Sequence, residues 1–268
     1  MNNKPIDIAL EVTASNYSSS VEHLASEFVY MDRIHNYPKK NTQIDVFGPI
    51  WIVGFANLPE NKISIKNGND YISLSGPCGF FAPPFSIVEW KIEPGELKWE
   101  ATLANCQLPA SLEKNVFTFT WNKTIPKNFE ALMTLLSTAE NKIIIESQSY
   151  SSSLAEKVKK YIDANYTSNL PISQIADDLN LSWSFMSREF KKVYNLSPVE
   201  YRHKARLFGA IKLLSLGRSV TDSCLESGFS SISQFNLQFK KYLGTIPTNY
   251  SKDKNPTQKP LKDSVFTL

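Results

Sequence analysis

The stretch SWSFMSREFKKVYNLSPVEYR, residues 182–202, returns in outline 49 positions later as SISQFNLQFKKYLGTIPTNYS, residues 231–251. Ser182 and Ser231, Ser184 and Ser233, Phe190 and Phe239, Lys191 and Lys240, Lys192 and Lys241, Pro198 and Pro247, and Tyr201 and Tyr250 coincide in register. Asn195 falls opposite Gly244, and these two residue types most readily take a left-handed backbone at a helix end. Each copy therefore reads as a polar-fronted helix carrying Phe-Lys-Lys, a stop, and a proline that opens a short segment ending in tyrosine. A duplicated unit of this kind suits a partner that itself repeats.

The flanking sequence extends each copy. Behind Pro171, Ile172, Ile175, Ala176 and Leu179 line one face of a short helix, Asn180-Leu181-Ser182 makes a turn, and the Ser182 hydroxyl is placed to cap the next helix. Over residues 183–194, Met186, Phe190 and Val193 fall inward, while Trp183, Ser184, Ser187, Arg188 and Lys191 fall outward. Residues 198–215 read as a longer helix, basic at its start (Arg202, Lys204, Arg206) and apolar later, serving as a spacer. In the second copy, Val220, Cys224 and Leu225 line a short helix that Gly228 ends. Phe229 plugs the core, Ser230 or Ser231 caps, and the second exposed helix presents Ser231, Ser233, Gln234, Asn236, Leu237, Lys240 and Lys241. Phe235 joins Met186, Phe190 and Phe239 as expected core.

Charge agrees with that placement. Of 29 Lys/Arg and 26 Asp/Glu, residues 1–150 hold 12 and 16, which leaves 17 and 10 beyond and splits the net +3 into −4 and +7. A basic half bearing a repeated helix points to a polyanion, and duplex DNA offers adjacent grooves to two such helices. Arg188 is the expected base reader, because a guanidinium grips guanine O6 and N7 together; an ion pair with Glu189 or Asp178 is its structural alternative. Lys191, Lys192, Lys240 and Lys241 are expected at phosphates, with a solvated surface as the alternative. Trp183 packs either on the sugar–phosphate backbone or on its own domain.

The run from Ile175-Ala-Asp-Asp-Leu through Met186-Ser-Arg-Glu-Phe-Lys-Lys to Asn195-Leu-Ser-Pro-Val-Glu-Tyr-Arg202 resembles the first half of the AraC/XylS-type DNA-binding domain. Residues 228–250, from Gly228-Phe-Ser-Ser to Tyr250, are similar to the signature of its second half. The resemblance covers roughly residues 150–251. It implies a bacterial transcription regulator whose two helix–turn–helix units, joined by one long helix, read adjacent major-groove segments, with RNA polymerase as downstream partner. Two positions depart from the family's habit: Leu237 stands where a basic residue is common, and Ser251 where arginine is. Base readout by the second unit is then either weaker or carried by Gln234 and Asn236.

The N-terminal half has a different texture. Val21, Leu24, Phe28, Met31 and Ile34 are spaced for an amphipathic helix over 18–35. Short β-rich runs follow at 50–53, 62–65, 71–74, 86–90 and 116–121, with turns at Asn67–Asp70, Gly76-Pro77 and Pro94-Gly95. Strands so often interrupted suggest a sandwich or barrel, and the stretch from Gly76 to Pro84 resembles the β-barrel sensors of the same family. Trp51, Phe55, Trp90, Trp99 and Trp121 line either an apolar ligand pocket or a plain core. A helix is expected over 128–140. The resulting fold class is α+β in two domains: a β-rich, cupin-like N-terminal domain over 1–145 for sensing or dimerisation, and an all-α domain over 154–252. A serine-rich linker over 146–153 joins them, and a flexible tail follows over 253–268.

Cys78, Cys106 and Cys224 are too scattered for a disulfide framework or a zinc site, and His23, His35 and His203 for a metal-dependent cupin enzyme. No apolar run approaches membrane-spanning length. The expectation is a cytoplasmic, non-enzymatic protein with no cofactor and no metal, which binds double-stranded DNA and has a small-molecule effector and a second copy of itself as further partners. Two alternatives remain open at this stage: a DNA-repair alkyltransferase with this type of reader, which would need an activated cysteine, and an architectural DNA binder.

Overall fold

The computed structural model describes residues 9–250, apart from 15, 26–27, 105, 107, 109–111, 113–114, 122–123 and 147–152. The expected tail over 253–268 and most of the expected linker lie outside the described residues.

The N-terminal half is antiparallel β-structure. Strands β1 (Ala9–Thr13), β2 (Tyr17–Ala25) and β3 (Phe28–Tyr37) lead in, β4 is Asn41–Val46, and β5 (Trp51–Asn67) and β6 (Asp70–Ala82) form a long hairpin. Strands β7 (Ile87–Ile92), β8 (Gly95–Ala104) and β9 (Phe117–Thr120) follow, then helix α1 (Phe129–Thr138) and strand β10 (Glu140–Ile144). The sheet order runs β1-β2-β3-β8-β5-β6-β9-β10, with β7 bridging β5 and β4. β5 spans two neighbours: residues 51–55 pair with β8, and residues 63–65 with β7. That double pairing wraps the sheet around an interior, but among the described residues β1 and β10 do not pair with each other, so the sheet is not closed into a barrel.

The helix expected over 18–35 is instead the β2–β3 hairpin, with Tyr17 opposite His35 and Val21 opposite Met31. Tyr17, Ser19 and Val21 are buried while their neighbours are not, a period of two. Reversal of the chain between the strands shifted the phase, and the five apolar positions then mimicked helical spacing. Two further expectations change. Residues 51–53 of the first run and the run at 62–65 belong to one strand, β5, and Gly76-Pro77 lies inside β6, where Pro77 pairs with Asn57. The turn at Asn67–Asp70 closes the β5–β6 hairpin, and Glu93-Pro94 separates β7 from β8, which Gly95 opens. Asn128 caps α1 through its side chain, and Leu132 and Leu136 bury its apolar face against Trp51, Phe117 and Phe119.

The C-terminal half is helical: α2 (Ser153–Asn165), α3 (Ser173–Asp178), α4 (Trp183–Tyr194), α5 (Pro198–Ser215), α6 (Val220–Glu226), α7 (Ile232–Leu243) and a 3-10 turn over Pro247–Tyr250. In the first unit Val158, Ile162, Ile175, Met186, Phe190 and Tyr201 pack together with Val46 of β4, and Ile44, Phe85 and Ile87 of the N-terminal half lie against them. The second unit merges with the sheet more extensively. Phe229, Phe235, Phe239 and Tyr250 join Ile211 and Leu214 of α5 in one continuous apolar cluster with the β-sheet. The halves thus meet through both units and α5, the second unit sharing the larger cluster.

The cations at the start of α5 serve this packing. Arg202 donates to the Leu170 carbonyl (2.6 Å), and Arg206, 4% exposed, donates to the carbonyls of Tyr166 (2.5 Å) and Ser168 (2.7 Å). Lys204 reaches across to the Ile44 carbonyl of β4 at 2.6 Å. Burial lowers the pKa of all three, that of Arg206 to about 10. α5 is a central packing helix rather than a free spacer.

Candidate nucleic-acid interface and interdomain cavity

The repeat in sequence is a repeat in geometry. α4 and α7 are both 12 residues long. Ser182 and Ser231 are their N-caps, each side-chain oxygen accepting from the backbone N–H three residues on (3.3 and 3.2 Å). Asn195 (φ 58°) and Gly244 (φ 64°) close them in left-handed conformation, with N–H groups donated back to the carbonyls of Lys191 (2.8 Å) and Lys240 (3.0 Å). Pro198 and Pro247 open the following segments, and Tyr201 and Tyr250 are both fully buried.

Met186 and Phe190 on α4, and Phe235 and Phe239 on α7, form the buried faces. Trp183, Ser184, Arg188 and Lys191 are exposed and Ser187 is half-buried; on the second helix Ser231, Ser233, Asn236, Leu237, Lys240 and Lys241 are exposed and Gln234 is half-buried. Leu237 is 65% exposed, a large apolar side chain offered to solvent. Leu225, expected to line α6, is likewise exposed at 61%, and Cys224 and Ser223 take the buried face. Asp178 receives the Tyr161 hydroxyl (3.3 Å) and Gln174 (3.1 Å), whereas the Arg188 guanidinium lies over the Phe185 ring, 5.6 Å from its centroid. The sequence reading had passed over Phe185, although its one-turn spacing from Arg188 on the polar side was visible.

A sequence model for the helix–turn–helix domain matches residues 175–253. Residues 175–253 are an AraC-type helix–turn–helix domain. The chain is similar to the Msm operon regulatory protein of Streptococcus mutans, 35% identical over 109 residues, 40% of this chain and 39% of that protein. It is also similar to AdaA of Bacillus subtilis, a bifunctional transcriptional activator and DNA repair enzyme, 31% identical over 94 residues, 35% of this chain and 44% of that protein. The chain thus spans well under half the length of these relatives. Among solved structures, fatty-acid-bound ToxT from Vibrio cholerae is 15% identical, covering 84% of this chain and 95% of its own at a TM-score of 0.47.

The AraC-type domain meets the β-sheet at a cavity of about 520 Å³. Sheet residues Met31, Ile52, Leu58, Phe80, Trp90 and Trp99 and helical residues Leu207, Phe208, Ile211 and Tyr242 form its apolar walls. Of the five aromatics singled out from the sequence, Phe55, Trp90 and Trp99 line it; Trp51 and Trp121 instead pack with the cluster around α1. The polar wall went unforeseen. Tyr17, Arg33, His35 and Lys204 all contribute to it.

From Arg33 a directed chain of hydrogen bonds leaves the cavity. Arg33 Nη2 donates to the Tyr250 hydroxyl (2.9 Å), that hydroxyl lies 3.2 Å from the Tyr17 hydroxyl, and Tyr17 donates to the carbonyl of Leu243 (2.7 Å), the last residue of α7. Because the single Tyr17 proton goes to Leu243, Tyr250 donates to Tyr17. The guanidinium also stacks over Tyr17 at 4.1 Å and Trp99 at 5.2 Å, and its Nε is buried without a hydrogen-bond partner among the described residues. Burial raises the Tyr17 hydroxyl well above its ordinary value and keeps it a donor. Beside Arg33, burial and then the guanidinium charge lower His35 to about 4. The equivalent tyrosine of the first unit, Tyr201, bonds to Asp163 of α2 instead. Among the described residues, it is the tyrosine of the second unit that bonds to the cavity-lining Arg33, whereas Tyr201 also reaches the N-terminal half at the Phe85 carbonyl (3.4 Å).

Proposed function

We propose that the chain is an effector-responsive transcription regulator that binds double-stranded DNA sequence-specifically, α4 and α7 entering adjacent major-groove segments. The observation that carries this reading is the pair of helices with matching caps, lengths and left-handed stops, each offering a polar and basic face. Arg188 reads a base edge; Lys191, Lys240 and Lys241 meet phosphates; Trp183, Ser184, Ser187, Ser231, Ser233, Gln234, Asn236 and Leu237 fill out the contact surface. Phosphate contacts supply affinity and the few base contacts supply preference. The segment over 1–145 is the sensor and that over 154–252 the reader, with RNA polymerase and a second copy of the chain as further partners in the cytoplasm.

The effector occupies the cavity between sheet and helices. The cavity volume falls within the range of small-molecule sites, and its walls are largely apolar, with the Nε of the Arg33 guanidinium on the polar side left without a partner among the described residues. An effector with an apolar body and an anionic end fits that chemistry. The hydrogen-bond chain from Arg33 to the end of α7 supports coupling of occupancy to the second reading helix.

Two of the three cysteines lack the activation that alkyl transfer needs, since burial pushes the Cys78 thiol up to about 11 and raises that of Cys224. Selection from a random duplex library tests the main reading: the full chain should enrich one bipartite sequence. Recovery of no shared sequence would refute specific reading. A straight-chain carboxylate should raise the melting temperature more than its uncharged alcohol, and lose that advantage in Arg33→Gln.

A further inference from the structure

Phe185 is the one aromatic residue on α4 whose ring lies beneath an arginine of the same exposed face. It stands in the first turn, 38% exposed, and adds nothing to the buried face made by Met186 and Phe190. The Arg188 guanidinium, one turn on, sits 5.6 Å from the ring centroid. In register, the second copy has Gln234 and Leu237, so neither the ring nor the cation is repeated. The N-terminal turn of a reading helix is the part that meets base edges. A ring under a long, flexible side chain narrows the orientations its guanidinium samples, and the edge of a phenyl ring complements the 5-methyl group of thymine.

We propose that Phe185 is a specificity-determining residue of the first reading helix: its ring holds Arg188 toward a guanine and itself packs on the methyl group of a neighbouring thymine. The inference rests on the DNA-reading function proposed above and adds a residue and a base step to it. The first unit reads guanine next to thymine through this pair, and the second unit has no equivalent.

The test uses the full chain and the duplex that wild-type protein selects from a random library, with each thymine replaced in turn by deoxyuridine, which removes only the methyl group. One replacement should weaken wild-type binding about fourfold, the worth of one buried methyl-sized group, and leave Phe185→Gln unaffected. Phe185→Leu, which keeps an apolar contact but no ring, should retain the methyl response. Both variants should lose about two- to fivefold of the discrimination at the adjoining guanine. In an Arg188→Ala background, Phe185→Gln should cause no further loss at that guanine. Phe185→Gln with wild-type guanine discrimination and an unchanged uridine response would overturn the proposal, whatever it does to self-association. If wild type selects no sequence, specific DNA reading falls and this inference with it; if wild type selects a site that Phe185→Gln reads identically, only this inference falls.

Discussion

Substitution of the two glycines that flank α7 separates backbone conformation from crowding, and tests whether the copies are equivalent. Gly244 has φ 64°, and a Cβ placed there meets nothing closer than Asn16 Oδ1 at 3.7 Å. Gly244→Ala therefore costs only the left-handed conformation, about 1–2 kcal/mol. Asn195 occupies the matching position of the first copy at φ 58°, so Gly244→Asn should cost under about 1 kcal/mol. Gly228 differs. It has φ 89°, and a Cβ would lie 2.4 Å from the Thr167 carbonyl oxygen and 2.5 Å from Thr167 Cα, both backbone atoms. Thr167 follows α2, so the lead-in of the first unit presses on the turn of the second. Moving one of them adds about 1–3 kcal/mol of overpacking to the conformational cost, for a total of about 2–5 kcal/mol. Urea unfolding of the full chain, followed by far-ultraviolet circular dichroism and tryptophan fluorescence, measures all three variants, with coincident transitions and an unchanged slope as the check on cooperativity. Gly228→Ala within about 0.5 kcal/mol of wild type, or Gly244→Asn as costly as Gly244→Ala, would refute the reasoning.

Tyr250→Phe should cost about 1–3 kcal/mol in the same unfolding experiment, because it removes the oxygen acceptor of Arg33 Nη2 and leaves only the weaker Met31 sulfur. On the selected duplex, Arg188→Ala should lose about 1–3 kcal/mol of discrimination at one or two base pairs, whereas Lys240→Ala should weaken all sequences alike and flatten the salt slope by about one unit, as competition binding would show. His35 and His203 titrate at about 4, below the ordinary 6.5, each chiefly through burial and then neighbouring arginine charge. The unfolded chain therefore takes up these protons first, so their contribution is complete above about pH 6.5 and is lost progressively toward pH 4, reduced by their partial exposure. Melting temperature should fall across that window, and should fall less steeply in the double variant His35→Gln, His203→Gln.

Much of the helical half was legible because its signals are local. A serine cap, a left-handed Asn or Gly and a proline each act within a few residues, and their recurrence at one offset fixed both units. The expected range of α5, 198–215, matches the observed Pro198–Ser215. The sheet was less legible because pairing is decided by distant residues. β4, β8 and β10 gave no local signal strong enough to register, and the β2–β3 hairpin imitated a helix. The serine run 18–20 and the alternation Tyr17, Ser19, Val21 were the available corrections. The cavity was hidden for a related reason: its walls join residues from both halves, and Arg33 meets Tyr250 from 217 positions away. One clue was present in β3, where Arg33 shares the Met31 and Tyr37 face and so places a charge among inward positions.

The most direct test is the affinity of the full chain for its selected duplex as a function of salt. If α4 and α7 both dock and about six phosphates are contacted, affinity should fall about a thousandfold between about 50 and 200 mM salt, and a duplex with one half of the site scrambled should bind more weakly at every concentration. Duplex affinity independent of salt, or unchanged when either half-site is scrambled, would contradict an account in which both helices dock in adjacent grooves.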